Sequence, residues 1–261
     1  MSAEAKDLEP VKDYYREIAP FMDAELAERE DTSFWRSLGQ EFAGRRILEL
    51  GSGTGRITAL LADAGADVFA VDVSQELTEV AARRFKKASN VHLVIGDMRK
   101  LPFSGPFDLV AAADDPFSHL LVTRDRVRVL KSITRILSPD GHFVLDALRI
   151  RKQSAGGPDK PGPFTQSSSR VVPFRGRELK IAEQWRCAPI APMCTAQYDY
   201  RLDGRPVANV KFRARYWTPS ELRHHLKTAG LESEAWWGDY EGGPWDARRS
   251  DKLIVRARRS R

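Results

Sequence analysis

Two carboxylates, an aromatic ring and an imidazole fall close together at Asp114-Asp115-Pro116-Phe117-Ser118-His119. His119 is the side chain whose ordinary pKa lies near neutrality, so it is a candidate base for a hydroxyl or an ammonium. Asp114 is a candidate active-site contact for a cofactor's amino group or a cationic substrate, and Asp115 suits the cap of a following helix. A second cluster lies upstream. Gly51-Ser52-Gly53-Thr54-Gly55 follows a short apolar run, Ile47–Leu50, and precedes a helical pattern, Ile57–Ala64. A glycine turn between a buried strand and a helix lets backbone approach a ligand at the helix N-terminus. Asp72 ends the next apolar run 21 positions after Gly51, where an acid can accept hydrogen bonds from a ribose diol. A dinucleotide fingerprint would need Gly or Ala at position 56, and Arg56 stands there. The pair of motifs points to a nucleoside-type cofactor without a pyrophosphate.

The elements that must position these residues follow from the apolar rhythm. Strands are predicted at Ile47–Leu50, Val68–Val71, Val91–Ile95, Phe107–Ala113 and Phe143–Ala147, with helices at Ile57–Ala64, Glu76–Lys87 and Arg124–Leu137 between them. Continuous apolar runs alternating with helices argue for a parallel sheet built of right-handed crossovers. The first forty residues read as helices, with Asp31 as the polar cap of one of them. Residues 151–169, rich in Gly, Pro, Ser and Lys, read as a mobile loop. Three alternating segments follow at 179–187, 194–202 and 208–216, an antiparallel sheet inserted into the main fold. Thr218-Pro219-Ser220-Glu221 is a capping box opening a helix to Ala229, and two strands close the chain at Leu231–Trp237 and Lys252–Ala257. The domain reading is 1–44 as an N-terminal helical cap, 45–150 as the cofactor-binding core, 151–217 as the inserted sheet, and 218–261 as the helix and strand pair completing the core.

The chain has 261 residues, 42% hydrophobic and 30% charged, with net charge +6, the composition of a globular protein with a real core. No run approaches the ~20 apolar residues of a membrane helix, and the acidic start lacks the apolar centre of a signal peptide. A cytoplasmic location is the expectation. Cys187 and Cys194 could face each other across a hairpin, but read as two packed thiols. Residues 1–150 carry 20 basic and 24 acidic side chains, whereas 151–261 carry 22 and 12. Such a basic half can mark nucleic acid or an anionic substrate. Its cations alternate with apolar residues, however, as on the wet face of a half-buried strand, so no nucleic-acid partner is expected.

Glu49-Leu50-Gly51-Ser52-Gly53-Thr54-Gly55 resembles the first motif of class I S-adenosylmethionine-dependent methyltransferases. The resemblance continues through Val71-Asp72-Val73, Gly96-Asp97-Met98, Phe107-Asp108-Leu109-Val110 and Leu137-Ser138-Pro139-Asp140-Gly141, in order over residues 45–147. It implies an α/β fold: a Rossmann-like, seven-stranded, mostly parallel sheet with helices on both faces, plus the inserted antiparallel β-sheet. It also implies S-adenosyl-L-methionine as cofactor. By that similarity Gly51, Ser52 and Gly53 would carry the methionine part, Asp72 with Val73 the ribose, Asp97 and Met98 the adenine, and Ala113 the cofactor's edge. Glu49 would orient the glycine loop through its backbone amides. Tyr15, with Tyr14 as fallback, resembles a tyrosine that closes over the cofactor; Trp35 is either a cover or core.

The implied reaction is in-line methyl transfer, in which positioning in a dry site supplies most of the rate. The implied acceptor is a nitrogen or oxygen of a small molecule, because the inserted sheet resembles that of glycine and amino-sugar N-methyltransferases, where it roofs the site or makes a dimer contact; a homodimer is left open. Candidate substrate contacts are Phe117, Glu183, Tyr198, Tyr216, Asp239 and Tyr240. Glu183 sits on an apolar face and needs a partner, either Arg215 or a substrate amine, unless it lies at a solvent edge. No metal or membrane partner is expected. The alternatives are an RNA or protein methyltransferase, or a catalytically silent cofactor-binding relative.

Overall fold

Helices α1 (Glu9–Ile18), α2 (Met22–Glu25) and α3 (Thr32–Glu41) lead into β1 (Arg46–Leu50), α4 (Arg56–Asp63), β2 (Asp67–Asp72), α5 (Gln75–Arg84), β3 (Val91–Ile95), β4 (Phe107–Ala112), α6 (Thr123–Ile136) and β5 (Leu137–Asp146). Strands β6 (Phe164–Phe174), β7 (Arg177–Cys187), β8 (Met193–Leu202) and β9 (Arg205–Arg215) follow, and α7 (Pro219–Thr228), β10 (Leu231–Trp237) and β11 (Ile254–Arg259) end the chain. This computed structural model describes residues 9–148, 150, 164–188 and 191–260. They fall into two compact units, Arg29–Arg149 with Trp217–Arg261, and Met1–Glu28 with Ile150–Tyr216. One boundary between these units lies at Glu28/Arg29.

The larger unit holds a seven-stranded sheet of order β10-β11-β5-β4-β1-β2-β3. Strands β1 to β5 run parallel, and β11 runs antiparallel to both β5 and β10. Its central strands are apolar at consecutive positions because both faces are covered. Leu48, Val110 and Phe143 pack with Val129, Leu130 and Ile133 of α6 and Leu222 and Leu226 of α7. Their neighbours Ile47, Leu109 and Val144 pack on the other side with Trp35 and Leu38 of α3 and Ile57 and Leu61 of α4. Trp35 is thus core, fully buried. Parallel strands joined by helices place every β-to-α turn at one edge of this sheet, where ligands of such folds sit.

The smaller unit is a four-stranded antiparallel meander, β6-β7-β8-β9. Its inner face, with Leu179, Ile181, Ala196, Tyr198, Tyr200 and Val210, packs on Tyr14, Ile18 and Phe21 from the N-terminal helices. Three of its strands follow the predicted alternation. The fourth, β6, begins within the stretch 151–169 read as a loop: its Ser167-Ser168-Ser169 run looks like linker, and full-length pairing with β7 makes it a strand. The rest of that stretch, 151–163, lies outside the described residues. The thiol expectation is also corrected. Cys187 and Cys194 are directly opposed in the β7–β8 register and form a disulfide, since cross-strand neighbours bring their Cβ atoms within bonding reach.

Candidate active site

The turn after β1 is built from backbone. Gly51, Gly53 and Gly55 have φ of 70°, 55° and 81°, a left-handed region that costs other residues energy. The N–H groups of Gly51 and Ser52 both donate to the Val71 carbonyl, at 2.8 and 3.2 Å. A Cβ at Gly51 would sit 2.6 Å from Pro116 Cβ, so the turns after β1 and β4 touch there. Over Gly53 the space is open, the nearest atom being 4.0 Å from a built Cβ. Gly55 has a packing reason, because its Cβ would meet the Phe85 ring at 2.5 Å.

Asp72, at the end of β2, holds this turn. Its carboxylate accepts the Gly53 N–H through Oδ2 and the Ser74 N–H through Oδ1, both at 2.8 Å. It is 7% exposed, and burial raises its pKa against these backbone donors. The Gly53, Ser74 and Val73 N–H bonds use three of the roughly four acceptor sites of the carboxylate, so it can still accept a hydroxyl. Ser52 is buried, Val73 half-buried and Ala113 buried on the same sheet edge.

Glu49 is placed differently from expectation. Its Oε2 accepts the Thr58 hydroxyl at 2.5 Å, so it ties β1 to α4 and does not touch the amides of the loop, which Asp72 and the Val71 carbonyl take. Burial pushes its carboxyl up to about 8 despite that hydrogen bond. Arg56, the residue that breaks the dinucleotide pattern, is held by the fully buried Asp31 through two bonds of 2.6 and 2.7 Å. Asp31 therefore makes no side-chain cap on α3; a bidentate charge-assisted pair outweighs one capping bond. Asp97 is likewise engaged. Both its oxygens receive Arg99 Nε, at 3.1 and 2.9 Å, and buried Arg99 also approaches Asp125 at 3.5 Å. Met98 is half-buried against the core.

The turn after β4 carries two successive left-handed aspartates, Asp114 with φ 55° and Asp115 with φ 44°. Asp114 is exposed and ion-paired with Arg29, whose guanidinium the carboxylate pushes further towards the charged form. Asp115 is buried and serves as an anchor rather than a cap. It accepts the Leu148 N–H at 2.8 Å and the Trp217 indole N–H at 3.3 Å, and burial raises it to about 7. Arg126, unremarked in the sequence, locks the same turn: it donates to the Leu120 and Phe117 carbonyls at 2.9 and 3.1 Å and lies 4.0 Å over the Trp217 ring. His119 is half-buried, and desolvation lowers it to about 4 while Asp114 opposes the shift. Phe117 is corrected from substrate contact to core: it is fully buried between Phe143 and Trp217.

Both candidates on the C-terminal loop are structural. Tyr240 is buried and donates to Asp146 Oδ2 at 2.7 Å, and Asp146, also buried, is pushed up to about 6. Asp239 Oδ1 accepts the N–H groups of Glu241 and Gly243 at 3.0 and 2.7 Å, building the turn itself. In the smaller unit Tyr198 belongs to the aromatic cluster with Tyr14, Tyr200 and Phe212. Tyr216 is buried with its N–H on the Pro192 carbonyl. Tyr15 is a half-buried neighbour of Tyr14, ring centroids 4.8 Å apart. Glu183 is satisfied by the Ser168 hydroxyl at 2.7 Å; its strand is interior to the sheet, and Arg215 projects from the opposite face by strand alternation.

The larger unit thus brings together, on one sheet edge, a glycine-rich turn, a buried carboxylate with a spare lone pair and a polar turn with an imidazole. Adenosyl and methionyl groups fit this donor set: the open backbone over Gly53 is a cradle that any Cβ would fill, and Asp72 offers a carboxylate oxygen to a diol. The anchoring roles of Asp31, Asp146 and Arg126 escaped sequence reading, because their partners Arg56, Tyr240 and Trp217 are set beside them only by the fold.

A family profile described as a methyltransferase domain matches residues 47–141. The glycine/sarcosine N-methyltransferase of Parasynechococcus marenigrum is 31% identical over 221 residues, 82% of this chain and 72% of that protein. A cypemycin N-terminal methyltransferase from a Streptomyces species is 28% identical over 222 residues, covering 85% and 86%. Among solved structures, the CcbJ methyltransferase from Streptomyces caelestis superposes with a TM-score of 0.73 at 25% identity, covering 90% of this chain and 98% of that one.

Proposed function

The chain belongs to the class I S-adenosylmethionine-dependent methyltransferases, and we propose that it methylates an amine nitrogen, an α-amino group on a small molecule or at the N-terminus of a peptide. S-adenosylmethionine is its cofactor, which when bound supplies an electrophilic methyl group on a sulfonium. In this reading Gly51, Ser52 and Gly53 present backbone to the methionyl part, Asp72 accepts a ribose hydroxyl, and Met98 and Asp97 flank the base. Asp97 meets the adenine amino group only through lone pairs that Arg99 leaves open. The two relatives support the nitrogen assignment, since the name of each specifies methylation at nitrogen or at an N-terminus.

The observation that carries the reading is the turn Asp114–His119, with an exposed carboxylate and an imidazole lowered to about 4. Such an imidazole is neutral at physiological pH and does not repel a cation. Moving a proton to it from an α-ammonium of pKa about 8 would cost about 5 kcal/mol, whereas selecting the free base from solution near pH 7 costs about 1 kcal/mol. The amine is therefore taken as the free base. His119 accepts one of its N–H bonds and orients the lone pair for in-line attack, and Asp114, ion-paired with Arg29, holds the turn that carries it.

The test is incubation with labelled S-adenosylmethionine and a panel of glycine, sarcosine and short peptides with free or acetylated N-termini, read by mass. Methylation of the free amines alone supports the reading, and methylation of hydroxyl analogues without amines overturns it. His119→Ala is expected to lower kcat more than it raises KM. The pH profile of kcat/KM should follow the amine's own titration. An inflection between pH 5 and 7 that disappears in His119→Asn would make His119 the base instead.

A further inference from the structure

The basic half of the sequence is not absorbed by methyl transfer, and the smaller sheet shows where much of its charge lies. Strand alternation sends the aromatic residues of β7, β8 and β9 to the inner face and a polar grid to the outer one. One transverse row reads Thr165, Arg186, Thr195, Arg213, and the next Ser167, Gln184, Gln197, Lys211. Two rows further on lie Val171, Lys180 and Arg201. Lys180, Arg186, Lys211 and Arg213 are all exposed, and none has a carboxylate partner among the described residues. Of the acids on this face, Asp199 is occupied by Arg201 at 3.2 Å, and Glu178 lies at the far end of β7.

We propose that this outer face is a docking surface for an acidic peptide segment of a second protein, one that carries aliphatic side chains between its carboxylates. Charge complementarity selects an anionic occupant and disfavours a second copy, which would set the same unpaired cations against each other. Stacking of bases is not available, because Trp185, Tyr198, Tyr200 and Phe212 all lie on or near the inner face. Val171, 54% exposed, and Val207, 41% exposed, add apolar contacts that a phosphate backbone cannot use. The grid is about 15 by 20 Å from strand spacing and rise, less than half of the ~800 Å² per partner of a standard interface. That suits a segment rather than a folded domain. Hydroxyl and amide donors at Thr195, Gln184 and Gln197 sit between the cations to orient carboxylates.

The test uses the full chain and a fluorescein-labelled peptide of alternating Glu and Val, followed by anisotropy at low salt, beside a Lys–Val peptide and a short RNA duplex. The acidic peptide is expected to bind and the basic one not. Arg186→Glu with Arg213→Glu should weaken the acidic peptide by about tenfold or more, about 1.4 kcal/mol, and confer binding of the Lys–Val peptide. Unchanged S-adenosylmethionine affinity and melting temperature show that the variant is folded. Absence of acidic-peptide binding, binding insensitive to the double substitution, tighter binding of the RNA, or self-association abolished by the same substitutions would each overturn the proposal.

Discussion

The turn after β1 and the turn after β4 leave neighbouring strands of one sheet, and both require positive φ. The first meets that need with glycines, whose backbone is free to adopt it, and fixes the result with Asp72 and the Val71 carbonyl. The second uses Asp114 and Asp115, which are strained there, and offsets the strain with the Asp115 anchors and the Arg126 clamp. The difference has a chemical reason. In the proposed reading, a turn that offers backbone to the cofactor can use glycines, whereas a turn that offers a carboxylate and an imidazole cannot.

The largest effect is expected where the two turns meet. Gly51→Ala combines a left-handed φ with an overlap on Pro116, so it should destabilise by about 2–4 kcal/mol and abolish measurable cofactor binding in calorimetry. A variant that still binds normally would show that the turns are not in register. Next comes pH, because a buried carboxyl stands beside each turn, Glu49 between β1 and α4 and Asp115 within the second turn. Glu49 at about 8 and Asp115 at about 7 bind protons more tightly in the folded chain than in the unfolded one. Their neutral forms are therefore favoured by folding, and stability is lost as pH rises from about 4 through these values. The melting temperature should fall from pH 5.5 to 8.5, and Glu49→Gln should flatten the upper part of that decline; a rise would contradict the burial of both groups.

Asp72→Ala should weaken cofactor binding by about 1–3 kcal/mol, since the Gly53 and Ser74 donors and a ribose hydroxyl all lose an acceptor; calorimetry checks it. The sharpest contrast lies within the second turn. Asp115→Gly should destabilise by about 1–2 kcal/mol, because the orphaned Leu148 and Trp217 donors outweigh the relieved strain. Asp114→Gly removes an ion pair with half-buried Arg29 but relieves the left-handed strain, so it should shift stability by less than about 1 kcal/mol. Equal effects in urea titration would mean that strain, not anchoring, governs this turn.

The legibility of the molecule divides along the same line. The Gly51–Gly55 turn, Asp72 and the main strands were readable because period, glycine spacing and strand ends are local properties of the chain. Asp97, in contrast, was assigned to the adenine by resemblance, and the structure gives both of its oxygens to Arg99. Phe117, Asp239 and Tyr240 were assigned by loop position alone, and each turned out to be engaged within the protein.

By itself, the sequence determined the alternating α/β architecture, the glycine turn after β1 and the acid that ends β2, and the faces of β7, β8 and β9, because backbone preference and hydrophobic period act over a few residues. Tertiary structure alone decided which polar groups are spent on the fold and which stay available. Asp31 on Arg56, Glu49 on Thr58, Asp146 on Tyr240 and the Cys187–Cys194 bond each depend on a partner that only packing brings near. A buried charge or donor must be satisfied by whatever the fold sets beside it, and no local pattern encodes that neighbour.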